Sequence, residues 1–342
     1  MKLKARYPYI DLHVAGEPFR LITELNMDIP GATMEDKRQY ALRHLFDTVG
    51  LLLKEPRGHD DMYGGILLPP VCPGSDVGVL FMYPGEFTTL CGHGCLCLAR
   101  AAVELGIKKW HEGENVLTID APAATVKVHI LIEKGEVCKV TLENEKSFAC
   151  RYEQEVSVEH YGKVKVDIGY GGAFMVFAKA ADFGLSIRQE NTAKLLAAAM
   201  ACKSAVEGQL DAVHPTEPHK NLREDGCCMI LTEQRSAASG NVDMQCFTAY
   251  GNCEIDRSPT GTGTSALAAI LYDKGVLTRD GRLVNKGISG LPFEAVVRPV
   301  DGGVIPYISS TAYVISRGEL LLEMNDPLTS GFSLKNVEGR VK

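Results

Sequence analysis

The sequence CGHGCLCLARAAVELG at residues 91–106 has a counterpart in TGTGTSALAAILYDKG at residues 260–275, and this pair carries most of the information about the fold. The offset is constant, 260 − 91 = 169, so Cys91 corresponds to Thr260 and Gly106 to Gly275. Such a repeat predicts two similar structural units of roughly equal length. Because the first copy begins with a thiol and the second with a hydroxyl, the two units are expected to contribute different chemistry.

Both copies have the pattern of a buried helix. Positions at helical spacing i, i+3, i+4, i+7 and i+8 are mostly apolar in each copy. They are Cys95, Leu98, Ala99, Ala102 and Val103 in the first copy, and Thr264, Leu267, Ala268, Leu271 and Tyr272 in the second. Because both helices are apolar nearly all round, each is predicted to lie at the centre of its unit.

Glycines precede each of these helices, two in Cys-Gly-His-Gly and two in Thr-Gly-Thr-Gly. Glycine permits tight turns and close approach of a ligand to the backbone. The first turn of a helix also carries unpaired N–H donors and a partial positive charge, which together suit an anion. Two such helix ends facing each other are predicted to hold one carboxylate between them.

Length and composition limit the possible classes of protein. A chain of 342 residues exceeds a usual single domain, and 45% hydrophobic with 23% charged residues is ordinary for a globular protein. The net charge of −7 argues against nucleic acid or an anionic membrane as a partner. No stretch reaches the roughly 18 apolar residues of a membrane span, and the opening residues lack the apolar region of a signal peptide. We therefore expect a cytoplasmic protein.

Short β-branched runs separated by turn residues predict many short strands in mixed or antiparallel sheets. Amphipathic helices are predicted over residues 35–53 and 188–206. Eleven cysteines, an odd number scattered through apolar runs, indicate reduced thiols.

A zinc site is one alternative, because Cys91, His93, Cys95 and Cys97 lie within seven residues. Structural zinc ligands are usually separated by two or more residues, and a helix would direct Cys95 and Cys97 about 200° apart. We therefore expect no metal, and a thiol redox protein remains a further alternative.

Cys91 is a plausible base or nucleophile, because a helix N-terminus generally lowers the pKa of a thiol. The alternative is that Cys91 is one more buried cysteine among the eleven, without a chemical role. His93 either orients a ligand or is structural. Thr260 has an alkanol hydroxyl, which cannot act as a base near neutral pH without an activator beside it. The alternative is that Thr260 only caps the helix that follows it.

Five motifs in order resemble the proline racemase family across nearly the whole chain: DLHVAGEPFR (11–20), EPRGHDDMYGG (55–65), LCGHG (90–94), VDIGYGGAF (166–174) and DRSPTGTGTSA (256–266). The resemblance implies an α/β (α+β), diaminopimelate-epimerase-like fold. It would have two pseudo-symmetric domains, each a curved mixed sheet around a central helix, with the active site in the cleft between them. We place the domains at 1–136 and 137–324, with the segment from about 325 to 342 returning to the first.

The resemblance also implies roles for individual residues. Racemases carry a second cysteine where this chain has Thr260, and members with Cys then Thr resemble trans-3-hydroxy-L-proline dehydratases. Cys91 would then be the base and Thr260 the silent second position, with no cofactor. The implied substrate contacts are Gly92, His93, Gly261 and Thr262 through backbone donors, Asp256 to the ring nitrogen, and Tyr63 and Tyr250 as pocket aromatics. Asp256 as a turn cap and either tyrosine as core are the alternatives.

The implied partner is a small-molecule substrate, hydroxyproline, and the implied assembly is a homodimer. Two departures from the family pattern are Val14 and Ala15, where HTGGEP is usual, and Cys95 and Cys97 after CGHG. We expect them to adjust packing near the pocket. The alternative activities are a 4-hydroxyproline 2-epimerase or proline racemase, and a non-catalytic member that only binds hydroxyproline.

Overall fold

The computed structural model describes residues 2–84, 86–251 and 253–334. The chain divides into two units: within the described residues the first contains 2–14, 18–140 and 311–334, and the second contains 15–17 and 141–310. The division departs from the predicted domains at two places. The first boundary falls at 140/141, and the chain returns to the first unit at Thr311 rather than near 325. The early return has a physical reason, because the strand that starts there pairs along the first strand of the chain.

Within the described residues, the first unit contains seven complete strands, most of two others, and three α-helices. Its strands are β1 (Leu3–Val14), β2 (Glu17–Ile22, which starts in the second unit), β3 (Tyr63–Leu68), β4 (Val77–Tyr83), β5 (Glu86–Thr88), β6 (Gly113–Asp120), β7 (Thr125–Glu133), β8 (Glu136–Glu143, which ends in the second unit) and β18 (Ala312–Glu323). Its helices are α1 (Met34–His44), α2 (Phe46–Leu53) and α3 (Gly92–Glu104).

The second unit contains the remaining nine strands and three helices. Its strands are β9 (Phe148–Val158), β10 (Gly162–Tyr170), β11 (Phe174–Lys179), β12 (Cys228–Ala238), β13 (Asn241–Tyr250), β14 (Glu254–Asp256), β15 (Leu283–Lys286), β16 (Pro292–Val300) and β17 (Gly303–Ser310). Its helices are α4 (Thr192–Gln209), α5 (Leu222–Asp225) and α6 (Gly261–Asp273).

The two units repeat one topology. In the first, strands pair in the order β18, β1, β2, β3, β4, β6, β7, with β5 on β4 and parallel pairs at β2–β3 and β4–β6. In the second, the order is β9, β10, β11, β12, β13, β15, β16, β17, with β14 on β13 and parallel pairs at β11–β12 and β13–β15. The central helix α3 follows β5, and the central helix α6 follows the equivalent strand β14. The sequence repeat is therefore part of a duplicated mixed sheet.

Helices α3 and α6 are the central helices of their units. In α3 every residue from His93 to Ala99 is buried, and the helix packs on β1, β18 and β7. In α6 every residue from Gly263 to Leu271 is buried, and the helix packs on β17, β10 and β16. The predicted central position of both helices is therefore confirmed.

Other elements differ from the sequence prediction. The helix predicted over 35–53 is two helices, because Leu45 is buried in a non-helical conformation that lets α2 bury its apolar end, residues 49–53. The helix predicted over 188–206 is α4, displaced toward the C-terminus. Strands β10 and β11 are separated by a glycine turn in which Gly172 has φ +105°, a conformation that favours glycine.

A buried ion pair fixes the start of the first unit. The Arg20 guanidinium on β2 donates to both carboxylate oxygens of Asp11 on β1 at 2.8 Å, and its Nη1 donates to the Leu52 carbonyl of α2 at 2.9 Å. Both charged side chains are about nine-tenths buried. The pair therefore connects two strands and a helix through the two ends of the DLHVAGEPFR motif.

Among the described helices, none combines the length and the apolar character that crossing a bilayer would require.

We predict that Asp11→Ala lowers the stability of the first unit by about 3–5 kcal/mol, because Arg20 would remain buried without its counter-ion. The matched control is Glu319→Ala, which breaks the exposed Arg6–Glu319 pair between β1 and β18 at 3.8 Å and should cost about 0–1 kcal/mol. Denaturant unfolding followed by fluorescence of Trp110, the single tryptophan and a residue of the first unit, measures both. Equal losses in the two variants would contradict the argument.

Candidate active site

Cys91 occupies the N-cap position of α3. Its backbone is extended, with φ −140° and ψ 108°, and its Sγ accepts a hydrogen bond from the Gly94 N–H at 3.3 Å. The His93 Nδ1 lies 3.7 Å from the same sulfur, and the thiol is partly exposed. An N–H donor, the positive end of a helix and an imidazole are the surroundings that stabilise a thiolate.

Aromatic rings hold the His93 imidazole in place. The ring is buried and meets the edges or faces of Phe19 and Tyr63 nearly at right angles, with centroid distances of 5.6 and 5.8 Å. Tyr63 is the first residue of β3, and its ring also lies 5.7 Å from that of Tyr83. Tyr63, His93 and Cys91 are therefore brought together at one end of α3. Their roles as base and substrate contacts stay a prediction.

The rest of the Cys-rich sequence packs the interior. Cys95 and Cys97 are fully buried. Burial, together with the nearby Cys91, raises the pKa of Cys95 well above its usual value. Across residues 2–84, 86–251 and 253–334, no group of three or more His, Cys, Asp or Glu side chains is arranged to hold a metal ion.

Thr260 has a different environment from Cys91. Its φ of 61° places a β-branched residue in the left-handed region, where such residues are genuine outliers. The Thr260 hydroxyl donates to Asp256 Oδ2 at 2.7 Å, and the Thr260 N–H donates to Ser258 Oγ at 3.1 Å. Strain of this kind is kept where neighbouring contacts impose it, and functional sites are common locations.

The Asp256 carboxylate closes this loop. Its Oδ1 accepts the Ser258 N–H at 2.8 Å while Oδ2 accepts the Thr260 hydroxyl. Because the single hydroxyl hydrogen of Thr260 is donated to Asp256, its oxygen presents only lone pairs to any other group. Asp256 does cap a turn, which the alternative interpretation predicted, and one of its oxygens also orients Thr260.

Two further thiols lie near Asp256, and the pKa of each is raised. Burial, and then the Asp256 charge, raise the pKa of Cys228 to about 12. The same two causes raise the pKa of the fully buried Cys246 far above its usual value. Cys228 and Cys246 are therefore poorly suited to supply the thiolate that a cysteine at position 260 would provide.

The tip of the HVAGEP motif belongs to the second unit, where it supports the same loop. Glu17 Oε2 accepts the N–H of Arg257 at 2.7 Å, and Ser289 Oγ donates to the Ala15 carbonyl at 2.7 Å. Ala15 has φ 48°, so the family's usual glycine would suit this position better. The Ala15 departure therefore lies in a strained turn. Its predicted effect, an adjustment of packing near the pocket, stays a prediction.

The predicted site residues form two groups, one in each unit. The first group is Tyr63, Cys91, Gly92 and His93, at the N-terminus of α3; the second is Asp256, Thr260, Gly261 and Thr262, at the N-terminus of α6, with Tyr250 at the end of β13 opposite Glu254. Sequence reasoning did not select Ser258, although it stands inside the quoted DRSP motif. It also missed Asn144 and Ser265, which contact each other beside α6.

Residues 9–333 match the protein family described as proline racemase. The chain belongs to the proline racemase family. It is 34% identical over 340 residues to a trans-3-hydroxy-L-proline dehydratase of Burkholderia cenocepacia, with 98% of this chain and all of that protein covered. A proline racemase of Clostridioides difficile is 32% identical over 342 residues, again covering 98% of this chain and all of the other.

A solved structure gives the same fold. The hydroxyproline epimerase of Agrobacterium vitis, with trans-4-hydroxy-L-proline bound, superimposes with a TM-score of 0.81 at 25% identity, covering 99% of this chain and 98% of the other. The mixed α/β fold predicted from the resemblance is confirmed. This chain is therefore similar to proteins named as a dehydratase, a racemase and an epimerase, at 34%, 32% and 25% identity, respectively.

Gly94 offers a test of how closely α3 must pack in this family member. A Cβ added there would lie 2.6 and 2.8 Å from ring atoms of Phe81 and 2.9 Å from Phe19. We predict that Gly94→Ala lowers stability by about 1–3 kcal/mol through overpacking and displaces the Cys91 end of the helix. The matched control is Gly208→Ala near the end of α4, where a Cβ meets nothing within 4 Å. Thermal unfolding decides: an unchanged Gly94→Ala melting temperature would contradict the prediction.

Proposed function

We propose that this protein is a trans-3-hydroxy-L-proline dehydratase that uses Cys91 as its base and no cofactor. The observation that carries the proposal is the Thr260 hydroxyl donating to Asp256 where the racemases of the family have a second cysteine. Racemisation by two bases requires an acid on the opposite face to return a proton. A hydroxyl whose hydrogen is held by a carboxylate is poorly suited to that task.

Dehydration of this substrate needs a base on one ring face only. In trans-3-hydroxy-L-proline the hydroxyl is trans to the carboxylate, and the Cα hydrogen also lies opposite the carboxylate. The hydrogen and the hydroxyl therefore share one face. A single thiol on that face can remove the proton and later return it to the departing oxygen.

The proposed steps balance as follows. The Cys91 thiolate removes the Cα proton, and the electron pair of that C–H bond first enters an enolate-like carboxylate. The pair then forms the Cα=C3 bond as the C3–O bond breaks, and the Cys91 thiol protonates the leaving hydroxide to give water. The thiolate is regenerated. The organic product is Δ2-pyrroline-2-carboxylate, which tautomerises to the Δ1 form.

The remaining predicted residues stabilise the charges that develop. Backbone N–H groups of Gly92, His93, Gly261 and Thr262 would bind the carboxylate, where negative charge increases in the enolate-like species. Asp256 would accept a hydrogen bond from the ring nitrogen through lone pairs that the loop leaves available. Tyr63 and Tyr250 would contact the ring.

A 4-hydroxyproline 2-epimerase or proline racemase is the second candidate. Asp256 is an acceptor beside the Thr260 hydroxyl, so the pair has the arrangement of an activated alcohol. We prefer the dehydratase because the single hydroxyl hydrogen of Thr260 is already donated to Asp256, so that hydrogen is not available for return to Cα.

We predict that the purified protein, followed by proton NMR in D2O, converts trans-3-hydroxy-L-proline to a pyrroline carboxylate. Under the same conditions L-proline and trans-4-hydroxy-L-proline should keep their configuration, because no second acid delivers deuterium to the opposite face. Inversion at Cα of either control substrate would establish the epimerase or racemase alternative instead. Saturable binding of all three without turnover would mean a non-catalytic member.

We predict that Cys91→Ser lowers kcat by at least about 10²-fold, because an alkanol replaces the general base. The control is Cys72→Ser, which alters an exposed thiol of the same unit and should leave kcat unchanged. Steady-state rates of pyrroline formation measure both. A Cys91→Ser enzyme that retains a near-normal rate would disprove the assignment of the base.

A further inference from the structure

The two central helices are held at their N-termini by different contacts. In α3 the N-cap side chain itself closes the first turn, because Cys91 Sγ accepts the Gly94 N–H. In α6 the equivalent Thr260 makes no such cap, since its hydroxyl donates to Asp256. The first turn of α6 therefore depends on other residues for its orientation.

Ser265 and Asn144 supply those contacts. The fully buried Ser265 donates its hydroxyl hydrogen to the Gly261 carbonyl at 2.9 Å. The Asn144 side-chain amide Nδ2 donates to that same Ser265 oxygen at 2.8 Å and to the Gly171 carbonyl at 3.1 Å. The Asn144 main chain is itself fixed, because its N–H donates to the Pro306 carbonyl at 2.9 Å.

Peptide planarity carries this chain of contacts to the proposed carboxylate site. The Gly261 carbonyl and the Thr262 N–H belong to one rigid, trans peptide plane. Holding the carbonyl oxygen from one side thus sets the direction of the N–H on the other. The next peptide is confined as well, because a Cβ on Gly171 would lie 2.2 Å from the Thr262 carbonyl oxygen.

We propose that Asn144 is a positioning residue that aims the Thr262 N–H at the substrate carboxylate, acting through Ser265. The inference rests on the proposed function only in taking a ring carboxylate as the ligand at this helix end. It is specific to the second unit. With the repeat offset of 169, Ser265 corresponds to Leu96, a side chain that cannot form the hydrogen bond.

The test measures binding by calorimetry rather than turnover, so that it is independent of which reaction the enzyme performs. The probe is pyrrole-2-carboxylate, a planar five-membered ring carboxylate, and the uncharged comparison is pyrrole-2-carboxamide. Asn144→Ala and Ser265→Ala should each weaken carboxylate binding about three- to tenfold, the effect of one hydrogen bond. Carboxamide binding should change less, because it makes no charge-assisted contact with the N–H.

A double-mutant cycle tests whether the two residues act in series. If Asn144 works through Ser265, the Asn144→Ala/Ser265→Ala protein should bind the carboxylate no more weakly than either single variant. Multiplying losses would overturn the proposed route. Asn144→Asp keeps the side-chain shape but replaces the donor with an acceptor, so a merely packing role predicts near-normal binding and our proposal predicts a loss at least as large as for alanine.

Ser309→Ala is the matched control for stability. It removes a side-chain hydrogen bond of 2.8 Å to Thr141. Thr141 belongs to the same unit and precedes Asn144 by three residues in the sequence. The Ser309→Ala protein should have a melting temperature similar to that of Asn144→Ala and the same carboxylate affinity as the wild type. Unchanged affinity in Asn144→Ala would refute the positioning role even if dehydration is observed. If Asn144→Ala weakens carboxylate binding as predicted but the wild-type protein does not dehydrate the substrate, only the proposed reaction is refuted. A wild-type protein that binds no ring carboxylate would refute both proposals.

Discussion

Close packing at the N-terminal turns of α3 and α6 is the constraint on which the other features depend. A Cβ at Gly94 or at the equivalent Gly263 would lie 2.6 Å from Phe81 or from Ile230, respectively. Removing the side chain at this position allows each helix end to sit against its own sheet with the first-turn N–H groups still directed outward. The carboxylate contacts that we propose for these helix ends depend on this packing.

The duplication supplies two similar helix ends, and small differences at one position give them different chemistry. Cys91 is extended and caps its own helix, whereas Thr260 is left-handed and hydrogen-bonded to Asp256. The two equivalent positions therefore differ in backbone conformation, in capping and in acid–base capacity.

Much of the fold could be predicted because its signals are local. The repeat, the apolar helices and the glycines before them are properties of short stretches. The break at Leu45 and the return of the chain at Thr311 could not be predicted, because each depends on a distant partner. β18 joins the first unit by pairing with β1, some 300 residues earlier in the chain.

The sequence alone determined the residue types at the candidate site: one thiol, one hydroxyl and two glycine-rich helix starts. Only the tertiary structure decided how those groups are used. The Thr260 hydroxyl donates to Asp256, and Ser265 of α6 accepts a hydrogen bond from Asn144, 121 residues away in the chain. A motif fixes which donors and acceptors exist, but a hydrogen bond also requires a distance and an angle, and folding sets both.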